Sequence, residues 1–139
     1  MISVKTGRTE AMPLVDVVFY KDEDGSVPVV DWLRSLQPKQ RTKCVALIRH
    51  LHNFGHELRR PYADYLRDGI YELRIGVQGV NYRVLYFFYG RSAVVLFHGL
   101  TKERVVPPIH IDRAVDGKRK FEQDPQGRTF LWEGSSWKM

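Results

Sequence analysis

The run Leu14-Val-Asp-Val-Val-Phe-Tyr20 is dense in β-branched and aromatic residues and stops at the turn signal Asp22-Glu-Asp-Gly25, which predicts a first strand. The pattern then changes to a helical period. Ser26-Val-Pro28 supplies a helix start with proline in the first turn, and Val29, Trp32, Leu33 and Leu36 follow at helical spacing. After Pro38, the residues Cys44, Leu47, Ile48, Leu51 and Phe54 repeat at i, i+3, i+4 and i+7, and Gly55 stands ready to end this second helix. From residue 70 three β-rich runs follow, Ile70 to Ile75, Tyr82 to Tyr89 and Ala93 to His98, joined by short links around Gly79 and Gly90 that suit antiparallel neighbours. In the first run Tyr71, Leu73 and Ile75 share one face and Glu72 and Arg74 the other, so one sheet face is expected to pack on the helices and the other to work. Pro107-Pro108 reads as a break, after which a short helix is predicted over Ile111 to Phe121. The fold class is therefore α+β: N-terminal helices packed on an antiparallel sheet, with a short C-terminal helix. One domain spans residues 14–121, residues 1–13 form an N-terminal extension, and residues 122–139 form a loop-like C-terminal extension in which Thr129 to Trp132 is a candidate strand.

Composition narrows the class. The chain of 139 residues is long enough to close one core unaided, and its 43% hydrophobic content belongs to a folded chain. Its one cysteine excludes an intramolecular disulfide, and Cys44 falls on the apolar side of the second helix, where a packed thiol is the expectation. No apolar run approaches the ~20 residues of a membrane span and no leader pattern opens the chain, so a cytoplasmic protein without membrane contact is expected. A net charge of +6 favours partners that carry phosphate or carboxylate groups.

The chain has no phosphate-binding glycine loop, no dinucleotide fingerprint, no HExxH and no nucleophile elbow. His50, His52 and His56 are badly spaced for a shared metal, and no metal or cofactor is expected. What stands out is Arg74 and Arg83 inside strands, with Lys102 and Arg104 just past one. Strand interiors exclude long charged side chains unless a partner or a task holds them. Two readings stay open: a surface that grips phosphate, or an exposed sheet face with salt bridges, for instance Arg74 with Glu72 or Asp68. Lys39, Arg41, Lys43 and Arg49 on the outward face of the second helix likewise suit RNA, an acidic partner or plain solvation. His110, flanked by Ile109 and Ile111, is either a proton-transfer group or a space-filling loop residue. Tyr82, Tyr86 and Tyr89 suit base stacking or, more commonly, sheet packing.

Three segments carry a resemblance when taken in order: Gly69-Ile-Tyr-Glu-Leu-Arg74, Tyr82-Arg-Val-Leu-Tyr-Phe87, and Val94 through Glu103 followed by Pro107 to Ala114. Over roughly residues 14–121, the sequence resembles the RelE/ParE toxin superfamily, nearest its HigB-like, phage-derived branch. The resemblance implies two N-terminal helices on a twisted antiparallel sheet with a C-terminal helix. It implies the toxin of a type II toxin–antitoxin pair: an endoribonuclease that cuts mRNA on translating ribosomes without metal and is neutralised by a cognate antitoxin, expected to be a helix-turn-helix protein. Carried over position by position, Arg74, Arg83 and Lys102 match the family's basic catalytic residues. No tyrosine follows Tyr89, so proton transfer falls to His110 or His98, and Lys39, Arg41, Lys43, Arg104 and His98 are candidates for RNA contact. The segment Lys102-Glu103-Arg104 departs from the lysine pair common in the family, displacing one positive charge. Two rivals remain: a ParE-like gyrase poison, and a non-catalytic relative that only holds RNA or an antitoxin. Arg83→Ala is expected to lose most cleavage and keep the fold.

Overall fold

The computed structural model describes residues 14–101 and 104–131. Their elements run β1 (Asp16–Tyr20), α1 (Pro28–Ser35), α2 (Pro38–Phe54), a 3-10 turn (Gly55–Glu57), β2 (Ala63–Arg67), β3 (Ile70–Val77), β4 (Val80–Tyr89), β5 (Ala93–Thr101), α3 (Pro108–Gln123) and β6 (Thr129–Phe130). The six strands form one sheet in the order β2-β3-β4-β5-β1-β6. The β3-β4-β5 meander is antiparallel, as the short links predict. β1 instead lies parallel to β5, because both helices intervene before the chain re-enters the sheet at its far edge.

β2 has no counterpart in the pattern of the sequence, yet its turn was written there. Asp68-Gly69 and Gln78-Gly79 both take positive φ at each residue, the geometry of a two-residue hairpin whose twist matches its strands. α3 also starts three residues earlier than expected, with Pro107 as N-cap and Pro108 as the first helical residue. Proline is well suited to that position, since the N–H it lacks has no helical acceptor there. His110 therefore sits in the first turn of a helix and not in a loop. Among the described residues, no helix is long and apolar enough to cross a membrane.

Both sheet faces are covered. α1 and α2 bury Val29, Leu33, Cys44, Ile48 and Leu51 against Leu73, Val84 and Leu96. On the opposite face α3 lays Ile111, Ala114 and Phe121 over Ile70, Leu85, Phe87 and Val95. Residues from Tyr82 through Phe87 are consequently all buried, since their strand is sandwiched at mid-sheet. The face expected to stand free is thus half roofed by α3, and only the remainder is open to work.

α1 reaches the sheet through Trp32, whose Nε1 donates to Thr101 Oγ1 at 3.0 Å. Gly99 makes that approach possible: a Cβ there would lie 2.1 Å from Cδ2 of the indole. Gly99→Ala should displace the ring and break its hydrogen bond, lowering stability by about 1–3 kcal/mol. A thermal melt beside the wild type measures this.

Candidate functional site

The candidate site lies on the α3 side of β3, β4 and β5. Two rows of cross-strand partners run across it: Arg74 beside Arg83 beside Leu100, and Glu72 beside Leu85 beside His98. A register shift opposite Leu85 and Tyr86 leaves Phe97 without a partner between Leu96 and His98. This bulge turns both Phe97 and His98 toward α3. Gly117 in α3 then rides over the Phe97 ring, where an added Cβ would sit 2.2 Å from Cε1. The close approach sets the first turn of the helix, and His110 with it, over the strand end.

Arg83 is buried, with 5% of its surface exposed, and so is Glu72, also at 5%. Arg83 Nη1 donates to Glu72 Oε1 at 2.6 Å, and Nη2 donates to the backbone carbonyl of Arg104. Glu72 also faces the Arg74 Nε at 3.8 Å. Arg83 is thus ion-paired as a salt-bridge reading asks, but inside the sheet and not on an exposed face. That reading holds only in part for Arg74, whose side chain is 42% exposed. The expectation that Arg83→Ala would keep the fold is corrected by this burial: truncation leaves the Glu72 carboxylate buried without its closest counter-charge, at a cost of about 3–5 kcal/mol. Arg74 is the residue of the pair that a phosphate can reach.

His98 and His110 form a pair. Their rings stack at 5.0 Å between centroids, and His98 Nε2 lies 3.1 Å from His110 Nδ1. At that distance one nitrogen carries the shared proton and the other accepts it. Burial, then His110, then Arg113 push the His98 pKa down to about 4, so the inner ring is neutral near pH 7. A neutral His98 can accept the Nδ1 proton of His110, fixing the orientation of the outer ring and leaving its Nε2 available for proton exchange.

The structure thus gathers Arg74, Arg83, His98, His110 and the Arg104 backbone on one face. It places Lys39, Arg41 and Lys43 on α2, across the sheet. Arg41 is engaged there: its Nε donates to the Leu33 carbonyl at 3.0 Å and its Nη2 to that of Leu36 at 2.8 Å, capping the end of α1. Lys39 and Lys43 are exposed. Lys102 lies outside the described residues. Tyr82 and Tyr86 belong to the α2-side core, whereas Tyr89 is 40% exposed and meets Phe121 edge-on. Cys44 is buried, and burial pushes its thiol up to about 12, which suits packing and not chemistry. Sequence reasoning weighed Glu72 only as a surface partner for Arg74 and did not reach Arg113, which faces His98. A glutamate two positions before Arg74, on the face that the next strand fills with Arg83, was the available signal. A cleft of about 370 Å³ adjoins the arginines, lined by Pro61, Tyr62, Arg74, Asn81 and Arg83 among others.

Fold and site define a small α+β protein that holds an accessible arginine and a histidine pair on one sheet face, around a buried arginine–glutamate pair. The sequence profile of the phage-derived protein Gp49-like family (DUF891) matches residues 31–116, more than half the chain, from α1 into α3. The chain belongs to this family, a toxin-like family related to RelE. No curated protein matches it.

The neutral His98 carries a pH signature. Unfolded, it takes a proton near 6.5; folded, it does so only near pH 4. The unfolded chain thus binds more protons between these values, and His98 lowers stability as the pH falls from 6.5 toward 4. Urea midpoints measured across that window should fall for the wild type and fall less for His98→Asn; equal slopes would remove His98 as the source.

Proposed function

We propose that the protein is the toxin of a type II toxin–antitoxin pair, a cytoplasmic endoribonuclease that cuts mRNA on translating ribosomes without a metal. The observation that carries this reading is the His98–His110 pair on the same sheet face as the accessible Arg74. Cleavage needs three services. The RNA 2′-hydroxyl must lose its proton and attack the adjacent phosphorus in line, the phosphorane charge must be stabilised, and the departing 5′-oxygen must gain a proton. The products are a 2′,3′-cyclic phosphate and a free 5′-hydroxyl.

His110 exchanges the proton through Nε2, held in place by His98. Arg74 grips the phosphate, because a guanidinium offers two parallel hydrogen bonds to its oxygens. Arg83 acts through Glu72 and the Arg104 carbonyl, as a positioning residue. Lys102, next in sequence after β5, supplies a further positive charge. The cognate partner is an antitoxin that covers this face, expected to be a helix-turn-helix protein.

The engagement of Arg83 with Glu72 favours one alternative, a non-catalytic relative that holds RNA or an antitoxin and cuts neither. Mapping mRNA 5′ ends in a purified translation reaction separates the two. The wild type should create new ends within codons at stalled ribosomes, and folded His110→Ala should create them roughly 10²–10⁴-fold more slowly. Intact mRNA after incubation with folded wild-type protein would overturn the cleavage reading and leave the binding relative and the gyrase poison, which gyrase and binding assays then separate.

A further inference from the structure

A second cleft, of about 400 Å³, opens at the outer edge of the sheet on the α2 side. Its walls include His56, Leu58, Arg59, Ala63, Tyr65 and Tyr71. The volume is that of a site for a small organic group, and three of these six residues present aromatic rings.

Those rings are fixed in place. The Tyr65 hydroxyl accepts the Gly69 N–H at 3.0 Å, anchoring the side chain to the β2–β3 turn. Its ring stands edge-on to Tyr71 at 5.0 Å, yet Tyr65 remains 53% exposed. His56 lies flat on Phe88 with 3.6 Å between centroids, and Tyr71 meets that same Phe88 edge-on at 5.2 Å. Held aromatic faces beside basic groups are the means by which proteins receive unpaired bases, since every base has a π-face to stack. The cleft carries two guanidinium groups against one carboxylate. Asp64 pairs with Arg60 at 3.0 Å and accepts the Tyr65 N–H at 3.0 Å, which leaves Arg59 as the excess positive charge at the rim.

The segment 59–65 joins this cleft to the candidate site. Arg59, Arg60, Ala63, Asp64 and Tyr65 line the cleft, while Pro61 and Tyr62 between them line the neighbouring one with Arg74 and Arg83. The Arg74 N–H donates to the Tyr62 carbonyl at 2.8 Å, tying the segment to β3. The two clefts are thus contiguous through Pro61 and Tyr62 at the edge of the sheet, one holding Arg74 and the other Tyr65.

We propose that the Tyr65 cleft is a subsite for one unpaired RNA nucleotide flanking the phosphate that is cut, its base against Tyr65 and His56 and its phosphate on Arg59. The assignment rests on the RNA-cleaving reading above and adds to it where the neighbouring nucleotide is held.

Binding of a fluorescently labelled single-stranded RNA whose riboses are all 2′-O-methylated tests it apart from cleavage, because the nucleophile is blocked. Tyr65→Ala should raise the Kd roughly five- to a hundredfold, and Tyr65→Phe, which keeps the ring, should restore most of the affinity. Replacing one nucleotide of the RNA by an abasic unit should weaken wild-type binding by a similar factor, and the same replacement should have no added effect on Tyr65→Ala. Equal affinity of Tyr65→Ala and wild type for this RNA, in a protein that still cuts mRNA, would overturn the subsite and leave the function standing. A wild type that neither binds the RNA nor cuts mRNA would overturn both. Tyr65 is exposed, so a thermal melt is expected to show the fold of Tyr65→Ala intact, and Arg59→Ala, also at an exposed position, is a second variant expected to weaken binding.

Discussion

The Glu72–Arg83 ion pair is the constraint around which the α3 face is arranged. Both groups lie inside a sheet covered by helices on either side, where an ion without its partner is penalised by several kcal/mol. Two antiparallel strands must therefore keep the register that brings position 72 of β3 diagonally across from position 83 of β4. The second arm of the guanidinium then ties the Arg104 carbonyl, in the segment between β5 and α3, to the same point. That tie fixes where the chain leaves the sheet, four residues before α3 begins at Pro108. The placement of His110 over His98 depends on that exit and on the bulge at Phe97.

This arrangement divides tasks between residues that look alike in sequence. Arg74 and Arg83 are neighbours in register, but one is half open to solvent and the other is enclosed. Only Arg74 can meet a phosphate without displacing a buried partner. The histidines divide in the same way: the inner ring is kept neutral by burial and the outer ring is oriented by it. A charged group and a proton carrier thus share one face, the first beside the buried Glu72 and the second against the half-buried His98, which is the preorganisation that phosphate chemistry asks of a protein.

Much of this was legible in the chain. Helical spacing from Val29 to Leu36 and from Cys44 to Phe54, and three β-rich runs with short links, fixed the class and the meander. What escaped was non-local. The parallel docking of β1 on β5 leaves no trace in a local pattern, and β2 has too little alternation to stand out, although Asp68-Gly69 marked its hairpin. The proline pair that reads as a break is a helix start, because only tertiary docking of α3 on Phe97 makes a helix worth beginning there. Site residues followed the same rule. Types and order pointed to Arg74, Arg83, His98 and His110, but burial sorted them, and burial depends on α3 closing one face. Lys39, Arg41 and Lys43 gave a basic helix face that the fold sets across the sheet, with Arg41 engaged in capping α1.

The central claim is that Arg83 organises this face through Glu72, in preference to meeting substrate itself. A double-mutant cycle in stability tests it most directly, with unfolding free energies for wild type, Glu72→Leu, Arg83→Met and the double variant. The account predicts that each single change costs about 3–5 kcal/mol and that the double variant recovers much of that loss, since it removes both charges together. Additive losses, or an Arg83→Met chain as stable as the wild type, would contradict it and remove the Glu72–Arg83 pair as the organiser of this face.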